Sequence, residues 1–471
     1  MAKMNAAIVW LRNDLRVADN PALRKAASEA ECVIPVYVYA PEEAGRWAPG
    51  GASKWWLHHS LAALSAALDE LGAPLIIRTG DTLQNLLEIA RQTGAECVYW
   101  NHACEPAALS AEDAVEAGLA KEGIRSSAQQ GNTLLPPNAV LTGKDEPYKV
   151  FTPFWRALLA HEDAIPPPHP KPRSLQRPNQ SVASMDLRML FLLPKIRWDK
   201  GIEAAWEPGE RGARKALKRF LSDALMSYEK GRDFPADDGI SRLSPYLHFG
   251  EISPRQIWHE LHQFAAETRG AGRAVTVYLR QIVWREFAQY LLYHYPKTAE
   301  LPLRAEFVEF PWHNNKELLT RWQQGETGYP IVDAGMRELW ATGWMHNRVR
   351  MIVASFLVKD LLIPWQRGAE WFWDTLVDAD LGNNTLGWQW VAGCGADAAP
   401  YFRIFNPVLQ GEKFDPSGDY VRRWVPELRN VDSKSIHKPW ITGVNRYIEP
   451  LVDHSEARAR ALSAYSTIRG R

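Results

Sequence analysis

An α/β domain followed by an all-helical domain is the architecture this sequence predicts. Three observations carry it. The first third of the chain alternates short apolar runs with capped amphipathic segments, a pattern of strands and helices. A proline-rich stretch then interrupts both patterns. Beyond about residue 200 the apolar spacing becomes helical, and no strand-like alternation stands out. At 471 residues the chain exceeds one ordinary core, so two or more domains are expected. The expected parts are 1–131 (α/β), 132–200 (extended connector) and 201–471 (helical).

Ala6–Leu11 reads as the first strand, ending at the turn-prone Arg12-Asn13-Asp14. Asn20-Pro21 opens a helix, with Asn as cap and Pro at the first helical position. Cys32–Ala40 is the second strand. Ser53–Leu71 is a helix with Leu57, Leu61, Leu64 and Leu68 on one face. Pro74–Ile77 is the third strand, Asp81–Thr93 an Asp-capped helix, and Cys97–Trp100 the fourth strand. Ser110–Lys121 is a helix and Ile124–Gln129 a fifth strand. Alternation of this kind predicts a doubly wound parallel sheet covered on both faces, Rossmann-like in outline. No GxGxxG follows the first strand, so a dinucleotide role does not follow from the fold.

Ile165–Ser184 holds six Pro and little apolar content, and reads as an extended connector. Leu217, Phe220, Leu221, Ala224 and Leu225 form an amphipathic stripe beyond it. Ser253-Pro254-Arg255-Gln256 is a capping-box start for a helix carrying Ile257, Trp258 and Leu261. Val275–Tyr295 is a long apolar helix stopped by Pro296.

Lys+Arg and Asp+Glu are equal at 55, so any contact with nucleic acid must come from a local basic patch. The cysteines, Cys32, Cys97, Cys104 and Cys394, contain no CxxC pair, which argues against a metal site or a disulfide framework. No apolar run spans a bilayer and Met1–Ala7 is no signal peptide, so a cytoplasmic location is expected. Of 21 tryptophans, 14 lie after residue 200. Composition alone favours aromatic packing in a helical core as the reason; the sharper reading is that indoles serve electron transfer.

Several long stretches carry a resemblance. They are SRLSPYLHFGEISPRQ (Ser241–Gln256), WREF (Trp284–Phe287), GYPIVDAGMRELWATGWMHNRVRM (Gly328–Met351), DADLGNNTLGWQW (Asp378–Trp390) and PYFRIFNP (Pro400–Pro407), with YKVFTPFW (Tyr148–Trp155) before them. In this order they resemble the DNA photolyase/cryptochrome family over nearly the whole chain, most like bacterial cyclobutane-dimer photolyases. The resemblance implies an FAD-binding, catalytic helical domain and an α/β domain that helps hold a second, light-harvesting pigment.

Ser241, Arg242, Leu243 and Ser244 place hydroxyls and a cation on a loop near a helix start, which suits a diphosphate. On chemistry alone a loop cap is the more ordinary reading. The resemblance implies that they cradle the FAD phosphates, with Tyr228 nearby. Ile240 stands where the family often has Thr, which removes one hydroxyl. Asn347, Arg348, Arg350, Asp378, Asp380 and Asn384 are polar residues in apolar segments and need partners if buried. Arg350–Asp378 reads either as a salt bridge between helices or, by resemblance, as a pair against the isoalloxazine ring. Asn347, Arg350, Asp378, Asp380 and Asn384 are accordingly expected at FAD. The resemblance sets Asn384 against flavin N5, as in photolyases.

Trp388, Trp365 and Trp312 match the family's electron relay to flavin, on resemblance only. Trp284 and Trp390 match the pair that stacks on the extruded dimer. Arg232, Arg348 and Arg403 are expected on DNA phosphates, and Asn347 and Met351 near the lesion, as in dimer photolyases. Gln281 departs from the Glu that many dimer photolyases place at this position, three residues before Trp284. It keeps donors but cannot share a proton, so lower repair efficiency or another lesion is implied.

The reaction implied is light-driven splitting of cyclobutane pyrimidine dimers, with excited, fully reduced FAD donating an electron that later returns. UV-damaged DNA is the expected partner; the protein is expected to be a monomer without an obligate protein partner. Asn101–Leu109 lacks the Asn-Glu pair of one methenyltetrahydrofolate branch, with Ala107 and Ala108 at those positions. Gly51–Leu61 resembles another folate branch. Methenyltetrahydrofolate is therefore the first expectation for the antenna, with a deazaflavin as the alternative. A cryptochrome photoreceptor is the rival, set against the expected lack of a long signalling tail. A non-photochemical flavoprotein is disfavoured, since nothing resembles a nicotinamide site.

Overall fold

β1 (Met4–Leu11) is apolar at every position but the exposed Asn5, and it becomes the centre of a parallel five-stranded sheet of order β3-β2-β1-β4-β5. The computed structural model describes residues 3–442 and 447–468. The other strands are β2 (Ala30–Tyr39), β3 (Ile76–Thr79), β4 (Cys97–Asn101) and β5 (Arg125–Gln129). Between them run α1 (Pro21–Glu29), α2 (Gly51–Leu71), α3 (Thr82–Thr93) and α4 (Pro106–Lys121). Ile8 and Trp10 pack with Ile34, Val36, Leu86 and Leu119 on one face. Ala7 and Val9, pointing the other way, are equally buried. Burial on both faces is what a doubly wound sheet requires. Asn20 caps α1 through a bond from Leu23 N–H, and Asp81 caps α3 through Gln84 N–H, as the sequence predicts.

Some bounds differ. β3 begins at Ile76 rather than Pro74, because its ladder to β2 starts at Val36↔Ile76. α4 starts at Pro106, four residues before the expected Ser110, since Pro suits a first helical position. The proline-rich connector is no free tether. Leu175 N–H donates to Leu71 O at 2.7 Å, Val33 N–H to Gln176 O at 2.8 Å and Met185 N–H to Ile77 O at 3.0 Å. The stripe from Leu217 to Leu225 is not one α-helix: Glu210–Arg219 passes into a wide turn at Phe220–Ala224 and a tight one at Leu225–Ser227, leaving Leu221 half-buried.

Contacts group the chain into two compact units: unit 1 is Met1–Asp199, Trp206–Asp223 and Ser241–Pro296; unit 2 is Lys200–Ala205, Ala224–Ile240 and Lys297–Arg471. These do not coincide with the boundaries expected at 131 and 200. Unit 1 groups helices from the expected helical part with the sheet, joined through the loop after β1. Buried Arg16 donates to Asp19 O (2.9 Å), Gly250 O (2.9 Å) and Gly131 O (2.7 Å). Asp19 pairs with Arg255 at 2.7 Å, and the Ser253–Gln256 capping box opens the helix Pro254–Glu267 beside it. Gly250 has φ +65°, and a Cβ there would lie 2.2 Å from Asn13 O, so only glycine fits this crossing. At the C-terminal ends of β1 and β4, where such sheets commonly bind nucleotides, buried Asn101 donates to Asn20 Oδ1 at 2.8 Å and to Asp14. Side chains fill the crevice that a Gly-rich turn would leave open.

Unit 2 is helical among its described residues. Its core includes Phe307, Phe310, Trp322, Trp365, Phe372, Trp388 and Tyr401. No described helix is long and apolar enough to cross a membrane, and no cluster of metal-ligating side chains occurs among the described residues.

Candidate functional site

In unit 2 the helices Asn347–Ser355 and Leu381–Ala392 pack together and carry most of the expected flavin residues. His346 caps the first and Asp380 the second, accepting from Asn383 N–H at 2.8 Å. Asp380 therefore has a structural duty beside any flavin contact. Arg350 reaches back across the cap: its Nε donates to Met345 O at 2.7 Å, and its Nη2 spans both oxygens of Asp378 at 3.0 and 2.8 Å. The Asp378 side chain is 2% exposed, so its charge needs this partner. Arg350 Nη1 carries no hydrogen bond among the described residues. Asn384 is buried, and its amide donates to Ala369 O at 3.0 Å. That bond orients the amide and leaves its Oδ1 acceptor without a partner among the described residues. A spare donor on one helix and a spare acceptor on the helix packed against it suit a heteroaromatic edge that both donates and accepts, as flavin's does.

Tyr228 is buried, with the Arg232 guanidinium 5.6 Å from its ring centre. Arg348 is not a free cation. Its Nη2 pairs with Asp233 at 2.7 Å, its guanidinium lies 4.3 Å over Phe414, and its Nη1 is 3.9 Å from Met351 Sδ. The Arg348–Asp233 pair thus brings the Arg232 segment to the helix that begins at Asn347. Asn347 and Arg403 are exposed, and Trp390 is half-buried against the core.

Trp388 and Trp365 are core residues, and Trp312 packs against the same core. No ring contact joins the three directly among the described residues. Trp388 instead touches Phe372 at 5.0 Å and Trp322 at 6.2 Å, and its indole N–H has no hydrogen-bond partner. Gly368 makes room for it: a Cβ there would fall 2.0 Å from the indole. Trp322, Phe372 and Gly368 were not singled out by sequence. Their helical spacing marks them as core and nothing more.

In unit 1 the loop Ser241–Leu243 runs into a short helix, Ser244–His248. Arg242 adopts φ +55°, with its guanidinium 5.3 Å from the Trp206 ring. Ser241 Oγ accepts weakly from Leu243 N–H at 3.4 Å. Gln281 and Trp284 both lie on the helix Gly272–His294, close to the expected bounds, and both are half-buried. The Gln281 amide makes no hydrogen bond among the described residues. Trp284 stacks on Phe151, a partner the sequence did not single out. Of the resembled antenna segments, Gly51–Leu61 opens α2, and its two indoles are spent internally. Trp55 donates to Asp199 at 3.1 Å and Trp56 to Glu251 at 3.2 Å.

Two family models match: "DNA photolyase" over residues 7–173 and "FAD binding domain of DNA photolyase" over residues 278–467. The chain is 46% identical to a deoxyribodipyrimidine photo-lyase of Agrobacterium fabrum, covering 99% of each chain. It is 39% identical to cryptochrome-2 of Arabidopsis thaliana, covering 98% of this chain and 79% of that one. Its fold is similar to the crystal structure of a bacterial class III photolyase from Agrobacterium tumefaciens, with TM-score 0.95 and 45% identity over 100% and 99% of the two chains.

Proposed function

The chain belongs to the DNA photolyase/cryptochrome family, and on that premise we propose that it repairs cyclobutane pyrimidine dimers in DNA by light-driven electron transfer. The observation that carries this reading is Asn384, buried, oriented by Ala369 O and with no partner for its Oδ1 among the described residues, on a helix that packs against the one carrying Arg350. When bound, FAD supplies the light-excited electron and takes it back after ring opening. The protein's own residues do the rest. Asp378 fixes Arg350, whose free Nη1 offers a cationic donor. Asn384 Oδ1 offers an acceptor to an N–H at flavin N5, and Ser241–Ser244 offers hydroxyls and a cation to the diphosphate. Trp284 and Trp390 offer π faces to the extruded pyrimidines. The Gln281 amide offers a donor for the pyrimidine carbonyls. Trp388, Trp365 and Trp312 would supply electrons to flavin that has become oxidised, and Arg232 and Arg403 would meet phosphates.

Monomeric action on damaged DNA and an antenna in unit 1, methenyltetrahydrofolate first and deazaflavin second, belong to the same reading. A photoreceptor is the second reading, supported by Gln281 and by the similarity to a plant cryptochrome. One assay separates them. The reduced, FAD-loaded protein is illuminated with oligonucleotides carrying either a cyclobutane dimer or a (6-4) product. Restoration of the cyclobutane dimer alone supports the proposal. Restoration of the (6-4) product alone moves the lesion, and restoration of neither favours the photoreceptor.

A further inference from the structure

Three aromatic rings of unit 1 lie nearly parallel. Trp284 sits face to face on Phe151, with centroids 3.7 Å apart and planes 6° from parallel. Phe151 in turn lies 6.5 Å from Trp155 at 19°. Phe287 closes the edge of Trp284 at 5.9 Å and 72°. Aromatic pairs left to themselves favour offset or edge contacts at about 4.5–7 Å, so a close parallel pair needs outside support. The support is visible. Phe151 opens the helix Phe151–Leu159 and is 1% exposed. That helix packs on Gly272–His294, which carries Trp284. Several hydrogen bonds fasten the chain leading to Phe151 to the same long helix. Arg285 donates to Asn132 O at 2.9 Å. Glu286 Oε1 accepts from Leu134 N–H at 2.8 Å and Leu135 N–H at 3.1 Å. The Tyr290 hydroxyl accepts from Tyr148 N–H and donates to Val140 O, both at 2.9 Å. Trp284 itself stays half-buried. One face of its indole is covered, and the plane is set from behind.

We infer that Phe151 is a positioning residue for lesion recognition: it backs Trp284 and holds the indole plane ready for a flipped pyrimidine to stack on the opposite face. The inference rests on the proposed repair function. An indole free to rotate loses rotamer freedom when a base stacks on it, whereas a fixed one has little left to lose. Phe151 touches no substrate and acts only through Trp284, so its effect falls on discrimination between damaged and undamaged DNA. Phosphate contacts, and with them general DNA affinity, are untouched.

The test is dark binding of the full-length, FAD-loaded protein to a duplex with one cyclobutane dimer and to the same duplex undamaged. Phe151→Leu keeps apolar bulk and removes the ring. The affinity ratio is expected to fall about five- to tenfold, the worth of an aromatic pair. FAD content and affinity for undamaged duplex are expected to stay the same. Trp284→Ala removes the platform, and in that background Phe151→Leu is expected to lower the ratio no further, because coupled residues are not additive. An unchanged ratio in the single variant, or additive losses in the double one, overturns the inference. So does equal loss of both affinities together with FAD, which would mark Phe151 as structural only. The unaltered protein gives an independent check. In its complex with dimer-containing duplex, a pyrimidine is expected parallel to Trp284 on the face away from Phe151, and contact through the indole edge would contradict this. If the parent fails to discriminate the two duplexes, the repair reading fails as well; if it discriminates and Phe151→Leu changes nothing, only the inference fails.

Discussion

Trp388 is held by shape: its indole N–H has no hydrogen-bond partner among the described residues, and the bare Cα of Gly368 lies against its ring. Phenylalanine can therefore replace it without stranding a partner. Trp388→Phe is expected to block photoreduction of oxidised flavin, while repair by chemically pre-reduced protein survives. Transient absorption and repair assays on one preparation check both halves; normal photoreduction in the variant would show that another donor feeds the flavin. Gln281 calls for the opposite kind of change. Electron arrival places negative charge on the pyrimidine carbonyls, and a donor already aimed there stabilises it. A protonated Glu is a more acidic donor than an amide and forms the shorter, stronger bond to an anionic carbonyl. Gln281→Glu is expected to raise dimers repaired per photon, most clearly at low pH where the acid keeps its proton. Equal yields across pH would mean that other groups hold the carbonyls. The Arg350–Asp378 contact was legible because both residues sit inside long resembled stretches and are charged residues in apolar segments. Phe151 behind Trp284, and Asp233 beside Arg348, were not: each contact joins residues far apart in sequence, and neither residue carries a chemical signature of its own.

The Gly272–His294 helix carries candidate substrate residues and also the anchors for the chain before Phe151. Glu286 is the most exacting anchor. Burial pushes its carboxyl up to about 7, against the opposing pull of two backbone N–H bonds, from an ordinary value of 4.5; its Oε2 has no hydrogen-bond partner among the described residues. Between those values the folded protein holds a proton that the unfolded chain has released. The stability tied to the neutral acid is thus fully present below about pH 4.5 and is lost as pH rises through 7. Glu286→Gln removes this titration and keeps an acceptor for Leu134 and Leu135. Its stability relative to the parent is expected to improve between pH 4 and pH 8 by on the order of 3 kcal/mol, read from denaturant unfolding at each pH. A parallel pair of curves would contradict the assignment. Asp19 is the matching anchor at the sheet. Asp19→Asn leaves the buried Arg255 guanidinium without its counter-charge and is expected to cost about 3–5 kcal/mol, measured the same way. Helix starts such as Asn20, Asp81 and Ser253 were legible because capping is local chemistry. The edge of β3 and the path of the connector were not, because they depend on pairing with distant strands.

At the scale of the whole molecule, the alternating pattern and the switch to helical spacing predicted the fold class, and the five-stranded parallel sheet followed by helices agrees. What composition could not show is where the middle helices pack. Trp206–Asp223 and Ser241–Pro296 read as helical in period, yet they group with the sheet through Arg16, Asp19 and Glu210. A buried polar network of this kind leaves no periodic trace. The balanced charge of the chain, 55 against 55, adds a consequence for function. Without a global basic excess, general DNA affinity rests on a few local cations while stacking carries the choice of lesion, so preference for damaged DNA should outlast added salt better than general DNA affinity does. The central claim is that the electron given to the lesion comes back. Its most direct measurement is turnover under light, with reduced, FAD-loaded protein, excess dimer-containing oligonucleotide, no oxygen and no added reductant. Many dimers restored per flavin, none in the dark, and a flavin still reduced at the end are expected. Restoration that stops at one dimer per flavin, or that never begins, would contradict it.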